Sequence, residues 1–434
     1  MNKISVSQTL LILGRNPTIS IAEIRAKFPQ AKICAREKEF AIFEGIEMID
    51  LKKIGGVVKV GKVFARSMQY SQSNLKDKDV QQIYDFLEKE FLQKTGKQVF
   101  GFSVYPADSK TLKTLLIGAK KFLQKKGIAS RFANKNFTNL TNPQSEFEIL
   151  KKGGVEILAV RGSGNWFFAR LKQNQPFDDY KKRDYEKAFR DARVGMLPPK
   201  LAIMMVNLGV GGLGEIEKHG TWNLKHGTNN EKLKMNNEEN LVNDSMIQKE
   251  NLNFQNPKLQ TTNYKLPTVY DPFCGVGGIL VEAALLGCRV VGSDLDPRMV
   301  EFSQKNLAAL NLPGEVFVHD AKEKLNESEW KKYDVVVSEG YLGPPRRTVP
   351  EEKIRAKIFA ELQQLYQKFF AWLTCRRVVI CFPIYLEAGI PKYFASREIL
   401  PTLKEMGWEM KNTEKLIYSR ENQTVGREIV VLEK

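Results

Sequence analysis

The sequence predicts an α/β protein: a doubly wound, parallel sheet with an antiparallel edge hairpin in the C-terminal half, behind two small α+β units. Three observations predict it. Beyond residue 266, short apolar runs alternate with longer stretches at helical spacing, the pattern of strands joined by crossover helices. Ahead of residue 215, strand-like and helix-like runs fall into two shorter, less regular groups. Between them, residues 215–265 hold 11 asparagines in 51 positions, with few aliphatics and no sustained period. Such a stretch buries too little apolar surface to fold and reads as a disordered insertion.

In order, residues 7–14 (SQTLLILG) read as a strand, 20–28 as a helix with Ser20 as N-cap, and 40–43 as a second strand. Residues 80–94 carry Ile83, Phe86, Leu87, Phe91 and Leu92 on one helical stripe. Residues 99–105 alternate like a strand, and 111–125 form an amphipathic helix bearing Lys113, Lys120, Lys121 and Lys125, with Lys126 just after it. Residues 129–137, 156–161 and 165–170 read as strands. A proline-punctuated joint at Leu197-Pro198-Pro199 leads into a helix over 200–208. After the insertion, strands are expected at 269–271, 289–293, 316–319, 334–338 and 377–382. Helices are expected at 278–286, 297–310, 353–372 and 391–406, and a closing hairpin at 414–419 and 426–432. The expected division is 1–60, 61–175, a linker with lead-in helix at 176–214, the insertion at 215–265, and 266–434.

Charge separates the two halves. The net charge is +17, and all of the excess sits before residue 201, where basic residues outnumber acidic ones 37 to 20. A basic half suggests a polyanionic partner, most simply nucleic acid. No apolar run approaches the length of a membrane span, and residues 1–15 lack the features of a signal peptide, so no membrane association is expected. Five scattered cysteines, none in a CxxC pair, suggest reduced thiols in the cytosol and no zinc ribbon. With only His219, His226 and His319, neither a Ser-His-Asp triad nor a histidine-rich metal site is expected, and no metal is assigned.

The densest signal is Tyr270-Asp271-Pro272-Phe273-Cys274-Gly275-Val276-Gly277-Gly278, a strand running through a glycine turn into a helix. Glycines let a ligand approach the backbone, and the helix start offers free N–H groups. A second strand ends in Asp294, whose carboxylate suits ribose hydroxyls, with Asp296 two residues on. A third ends at His319-Asp320-Ala321, where Asp320 is suited to an adenine amine. The same acids as plain helix N-caps is the competing reading. Neither a dinucleotide fingerprint nor a P-loop is present.

DPFCGxGG followed by GSDLDP resembles the S-adenosylmethionine site of class I methyltransferases, in the branch that modifies exocyclic amines of RNA bases. More widely, the chain resembles the THUMP-domain tRNA guanosine-N2 methyltransferases. That resemblance rests on Leu13-Gly14-Arg15-Asn16-Pro17 with Ser20-Ile21-Ala22-Glu23, and on Arg183-Asp184-Tyr185, Arg190-Asp191, Arg193 and 195–202. Asn207-Leu208 and the closing Tyr418, Arg420, Arg427, Glu428 and Ile429 complete it. It implies a ferredoxin-like domain over 1–60, a THUMP-like RNA-binding domain over 61–175 and a Rossmann-like, seven-stranded methyltransferase sheet over 266–434. It implies S-adenosylmethionine as cofactor, with Asp271, Pro272, Phe273, Cys274, Gly275, Gly277, Asp294, Asp296, Asp320 and Ala321 at its site. tRNA is the implied partner, and eukaryotic relatives add a small activating protein.

The methyl-acceptor motif departs from the family. Where its members have [DN]-P-P-[YF], this chain has Ser338-Glu339-Gly340-Tyr341. Glu339 is read as the acid that accepts an amine hydrogen, Gly340 as the carbonyl donor of lone pairs, and Tyr341 as the ring stacked on a flipped base. Alignment of Ser338 with the acid is the other register. Arg346 and Arg347 follow, either as phosphate contacts or as solvated loop arginines. Methylation of guanosine N2 in tRNA is the expected activity; another base amine in RNA or DNA, or an inactive RNA-binding relative, is the alternative.

Overall fold

A computed structural model describes residues 7–67, 75–162, 164–176, 197–211, 266–326, 333–421 and 423–434, with Tyr180, Arg183, Phe189 and Leu213. The insertion at 215–265 with His219 and His226, most of the 176–214 linker, and Asp184, Tyr185, Arg190, Asp191, Arg193, Gly195 and Met196 lie outside the described residues.

The N-terminal sheet contains β1 (Gln8–Leu13), β2 (Lys32–Arg36), β3 (Phe40–Glu44), β4 (Val57–Arg66), β5 (Gln98–Tyr105), β6 (Ser130–Phe132), β7 (Val155–Gly162) and β8 (Asn165–Asn174). Their order across the sheet is β2-β3-β1-β4-β8-β7-β5-β6. Helices α1 (Pro17–Lys27), α2 (Asp77–Phe91) and α3 (Ser109–Lys125) pack on it. β1 is buried on both faces: Leu11 and Leu13 meet Ile21 and Ile24 of α1, while Leu10 and Ile12 meet Leu158, Val160 and Phe167. That double burial is why SQTLLILG reads as a continuous apolar run rather than an alternating one.

Several local expectations are revised. Ser20 is not the N-cap of α1: the helix starts at Pro17, whose fixed φ suits a first turn, and the Ser20 hydroxyl donates back to the Asn16 carbonyl at 2.9 Å. The strand expected over 129–137 is confined to Ser130–Phe132, and further on Asn136 and Phe137 take positive φ of 51° and 49°. The sequence reading missed β4 altogether. Its alternation is interrupted by Lys59, which is 1% exposed and donates to Glu156 (2.6 Å), Ser145 Oγ (2.8 Å) and the Leu140 carbonyl (2.8 Å). β4 pairs with β1 on one side and β8 on the other, so residue 60, the expected division, lies inside a strand common to both halves of one sheet.

The C-terminal sheet runs β9 (Thr268–Asp271), β10 (Arg289–Asp294), β11 (Glu315–Val318), β12 (Val335–Ser338), β13 (Arg377–Glu387), β14 (Ile390–Phe394), β15 (Glu409–Met410), β16 (Leu416–Tyr418) and β17 (Val425–Glu433). Its seven-strand path is β11-β10-β9-β12-β13-β17-β15, with β14 paired to β13 and β16 to β17. Strands β11 through β13 are parallel and β17 is antiparallel. Helix α4 (Pro199–Val210) contributes Leu201, Met205 and Leu208 to one face of the core, together with α5 (Gly278–Leu285) and α6 (Pro297–Ala309). Helices α7 (Glu352–Trp372) and α8 (Ser396–Glu405) cover the other face. This is the class I methyltransferase arrangement, with connections reversing direction between β9 and β12.

The helix expected over 391–406 is corrected: β13 continues to Glu387 and folds back through Ala388 and Gly389, both at positive φ (50° and 78°), into β14, and α8 begins only at Ser396. Ala-Gly is a weak hairpin signal beside Asn-Gly, so the turn is poorly marked in the sequence. The β16–β17 hairpin forms, but β17 lies within the sheet, between β13 and β15.

Candidate functional site

β9 delivers Asp271 to the carboxyl end of the sheet, where it is 2% exposed. Its Oδ1 accepts from the Ser338 hydroxyl at 2.6 Å and from the Phe273 N–H at 3.2 Å. Burial pushes this carboxyl up to about 7. The following turn needs glycine twice. Gly275 and Gly277 sit at φ of 51° and 80°, and a Cβ on Gly277 would lie 2.4 Å from Ser303 Oγ.

Asp294 ties this turn to β10. Its Oδ2 accepts from the Gly275 N–H (2.9 Å) and its Oδ1 from the Asp296 N–H (3.0 Å). Asp296 caps α6 by accepting from the Arg298 N–H (2.9 Å), and its ion pair with Arg298 holds its carboxyl below the usual range. Asp320 accepts from the Lys322 N–H at 3.0 Å and pairs with the Lys322 ammonium at 3.1 Å. Thus the acids do serve as local caps, yet Asp294, Asp296 and Asp320 also line one cavity. Cys274 is buried with its thiol pushed well up by desolvation, which leaves it a packing residue.

Opposite this turn, β12 ends at Ser338, fully buried, whose oxygen also accepts from the Gly340 N–H at 3.0 Å. The Ser338 hydroxyl is thus committed to Asp271 and to its own loop. Glu339 Oε1 accepts from Arg427 Nε, and Arg427 is itself only 6% exposed. Burial raises the Glu339 carboxyl and the Arg427 charge opposes that rise. Gly340 takes φ of 70°, and a Cβ there would lie 2.4 Å from the Tyr366 hydroxyl, which donates to the Tyr341 carbonyl at 2.9 Å. Proline, locked near −65°, cannot occupy this position, so the departure from a proline pair is a change of backbone path. The Tyr341 ring stands half exposed.

Both loops open into a single cavity of about 940 Å³. Every residue read as cofactor-binding or catalytic from the sequence lines it except Gly277, which forms the start of α5 behind the turn. The cavity is completed by Leu197 ahead of α4 and by Ile358, Leu362 and Lys368 of α7. Sequence reasoning missed Tyr366 and the part played by Arg427. Tyr366 reads as one more apolar position of α7, and the only trace of Arg427 is its place in the closing motif.

Residues from 261 through α7 to 374 match the family model described as UPF0020, RMKL-like, methyltransferase domain. The stretch from β9 through α7 is thus similar to a methyltransferase domain. A tRNA (guanine(10)-N2)-dimethyltransferase of Methanothermobacter thermautotrophicus is 39% identical over 103 residues, covering 23% of this chain and 27% of that protein. The protein of the same name in Methanocaldococcus jannaschii is 40% identical over 77 residues, covering 16% of this chain and 22% of its own length. The chain therefore spans about a quarter of the length of the curated relatives it matches. Among solved structures, TrmN of Thermus thermophilus aligns over 99% of both chains at 14% identity with a TM-score of 0.45.

Proposed function

We propose that this chain transfers a methyl group from S-adenosylmethionine to the exocyclic N2 amine of a guanosine in tRNA. The observation that carries the reading is the convergence of two residue sets on one cavity: the acid-bearing strand ends and the Glu339-Gly340-Tyr341 loop. The named relatives support the tRNA guanine acceptor. The basic surplus before residue 201 supports a grip on RNA by the 61–175 unit, through shape and phosphates.

The residues present suit the cofactor. Asp294 and Asp320 are the acids for ribose hydroxyls and an adenine amine, Ala321 and Phe273 offer apolar surface, and the space beyond the Cβ position of Gly275 is open. When bound, S-adenosylmethionine supplies an electrophilic methyl on its sulfonium. The protein's own contribution is to bind and align. Glu339 Oε2, with Oε1 held by Arg427, accepts one amine hydrogen, and the Gly340 carbonyl accepts the other. Tyr341, its carbonyl fixed by Tyr366, presents its ring to the flipped base. Alignment of the amine nitrogen with the donor supplies most of the acceleration. The described residues contain no helix long and apolar enough to cross a membrane, and five unpaired cysteines support a reducing, cytoplasmic setting.

The test is incubation with methyl-labelled S-adenosylmethionine and unmodified tRNA, followed by nucleoside mass spectrometry, with ribosomal RNA and DNA as competitors. N2-methylguanosine from tRNA alone is expected, lost in Glu339→Ala. A different methylated nucleoside overturns the acceptor, and cofactor binding without product on any substrate overturns the activity. Running the assay with and without the small activating protein of eukaryotic relatives reads that expectation as well.

A further inference from the structure

We propose that Glu23 and Asn207 are positioning residues that lock the N-terminal sheet to α4, and so hold the surface that grips RNA at a fixed place relative to the cavity. The inference rests on the tRNA reading above and concerns a junction outside the cavity.

Both lie in stretches to which the cavity gives no role, Ser20-Ile21-Ala22-Glu23 and Asn207-Leu208. They are 184 positions apart in the chain and meet in the interior, Glu23 on α1 and Asn207 on α4, both buried. Asn207 Nδ2 donates to Glu23 Oε1 at 2.7 Å and to the Lys53 carbonyl at 2.8 Å. The same carboxylate accepts from the Gly55 N–H through Oε1 and from the Gly56 N–H through Oε2, each at 2.8 Å. One carboxylate thus joins α1, α4 and the loop that enters β4 at Val57.

What each side of this junction carries gives it reach. On one side, β4 is the strand shared by both halves of the N-terminal sheet. Gln175, just past β8, adds a second tie there: its Nε2 donates to the Ile54 and Gly55 carbonyls at 3.2 and 3.1 Å, and its Oε1 accepts from Lys200 of α4 at 2.6 Å. Backbones meet at the same point, for a Cβ on Gly55 would lie 2.1 Å from the Lys200 carbonyl oxygen. On the other side, α4 begins two residues after Leu197, which lines the cavity. It lies against β12, where a Cβ on Gly209 would sit 2.6 Å from Val337, one residue before Ser338 and the Glu339-Gly340-Tyr341 loop.

Apolar packing alone would let these elements slide. Ile19, with Ala22 and Ala26 beside it, joins the cluster of Leu201, Met205 and Leu208, and such contact has no preferred direction. Hydrogen bonds do have direction, and a buried carboxylate stripped of its donors is costly. The N–H groups of Gly55, Gly56 and Asn207 are satisfied together at one placement of α1 and α4. An RNA held at two places gains from the second contact only where the separation of the two sites matches its own. The junction supplies that match between phosphates gripped by the N-terminal sheet and a guanosine in the cavity.

Asn207→Ala removes the amide, and Glu23→Gln keeps the shape of the side chain while removing one acceptor oxygen. Each is assayed on whole tRNA and on a hairpin reduced to the tRNA arm that bears the methylated guanosine, alongside S-adenosylmethionine binding. Spin labels on Cys34, the exposed cysteine of β2, and on an Ile390→Cys substitution in exposed β14 sequence report the distance between the two sheets. The wild type should show a narrow distance distribution and a preference for whole tRNA over the hairpin. That preference in kcat/KM should fall about tenfold in Asn207→Ala and about threefold in Glu23→Gln, as the two-site advantage is lost. The distance distribution should broaden in both, with hairpin turnover and S-adenosylmethionine affinity unchanged. An unbroadened distribution overturns the proposal, and so does an equal loss on tRNA and hairpin, which would mean that the pair serves only the fold. Should the wild type methylate no RNA, the functional reading falls, while the distance distribution still decides the junction. Should one variant fail to fold, the other decides it.

Discussion

Arg427, on the interior strand β17, donates its Nε to Oε1 of Glu339, just past the end of β12, joining residues 88 positions apart at the wall of the cavity. The pair places one oxygen of the carboxylate and keeps the group charged in a buried setting. Arg427→Ala should therefore strip Glu339 of its paired cation, leaving only the weaker field of Arg420, and raise its carboxyl further. The rising limb of the kcat/KM profile should move to higher pH, with activity at neutral pH lower by about a hundredfold. Arg427→Lys should restore part of both. Loss of activity with an unmoved pH profile would show that Arg427 serves only the fold.

Gly340 admits no side chain on two grounds, a φ of 70° and the Tyr366 hydroxyl 2.4 Å from where a Cβ would sit. Gly340→Ala should destabilise by about 1–3 kcal/mol, the range for a residue forced into a sparsely populated backbone region. Adding Tyr366→Phe should recover the part due to contact and none of the part due to backbone. Thermal melts of the two single variants and the double variant separate these contributions. Gly340→Pro should lose turnover altogether, although it brings the loop closer to the family's motif.

Asp271 gives a pH prediction with a definite sign. Its carboxyl rises on folding to about 7, because burial penalises its charge. The stability it contributes is complete below the ordinary carboxylate range and is lost as pH climbs through 7. Asp271→Asn preserves the oxygen that accepts from Ser338 and Phe273 and removes the charge. Melting midpoints from pH 5 to 8 should thus decline less in Asp271→Asn than in the wild type. The variant should be the more stable protein at pH 8.

The Lys59–Glu156 pair is enclosed on every side, with Ser103 and Ser145 completing the acceptor capacity of Glu156. Lys59→Met should destabilise by about 3–5 kcal/mol, since it strands a buried carboxylate. Lys59→Met/Glu156→Gln should recover a substantial share. Equal losses in the two variants would mean that the lost hydrogen bonds of Lys59 to Ser145 and Leu140, and not the stranded carboxylate, set the cost.

The strand-end residues that line the cavity were legible because each piece is local: a strand, a glycine turn and an acid fall within a few residues, and the parallel sheet aligns their ends without further instruction. Phe273, Asp294 and Asp320 meet because β9, β10 and β11 are neighbours in register. What could not be read is what long separation creates. Tyr366 secures the Tyr341 carbonyl from 25 residues away, and Arg427 reaches Glu339 from another strand. No period in the sequence distinguishes Tyr366 from its apolar neighbours on α7. β4 was lost for the same reason: the lysine that breaks its pattern is neutralised by a partner 97 residues further on.

The strand shared by the two halves of the N-terminal sheet also has a meaning in time. As the chain is synthesised, β4 pairs with β1 early, but its other edge waits for β8, about a hundred residues later. Until Asn165–Asn174 emerges, that edge is a row of unsatisfied backbone groups open to any passing strand. The nascent protein therefore passes through an interval of adhesiveness that the finished one does not share.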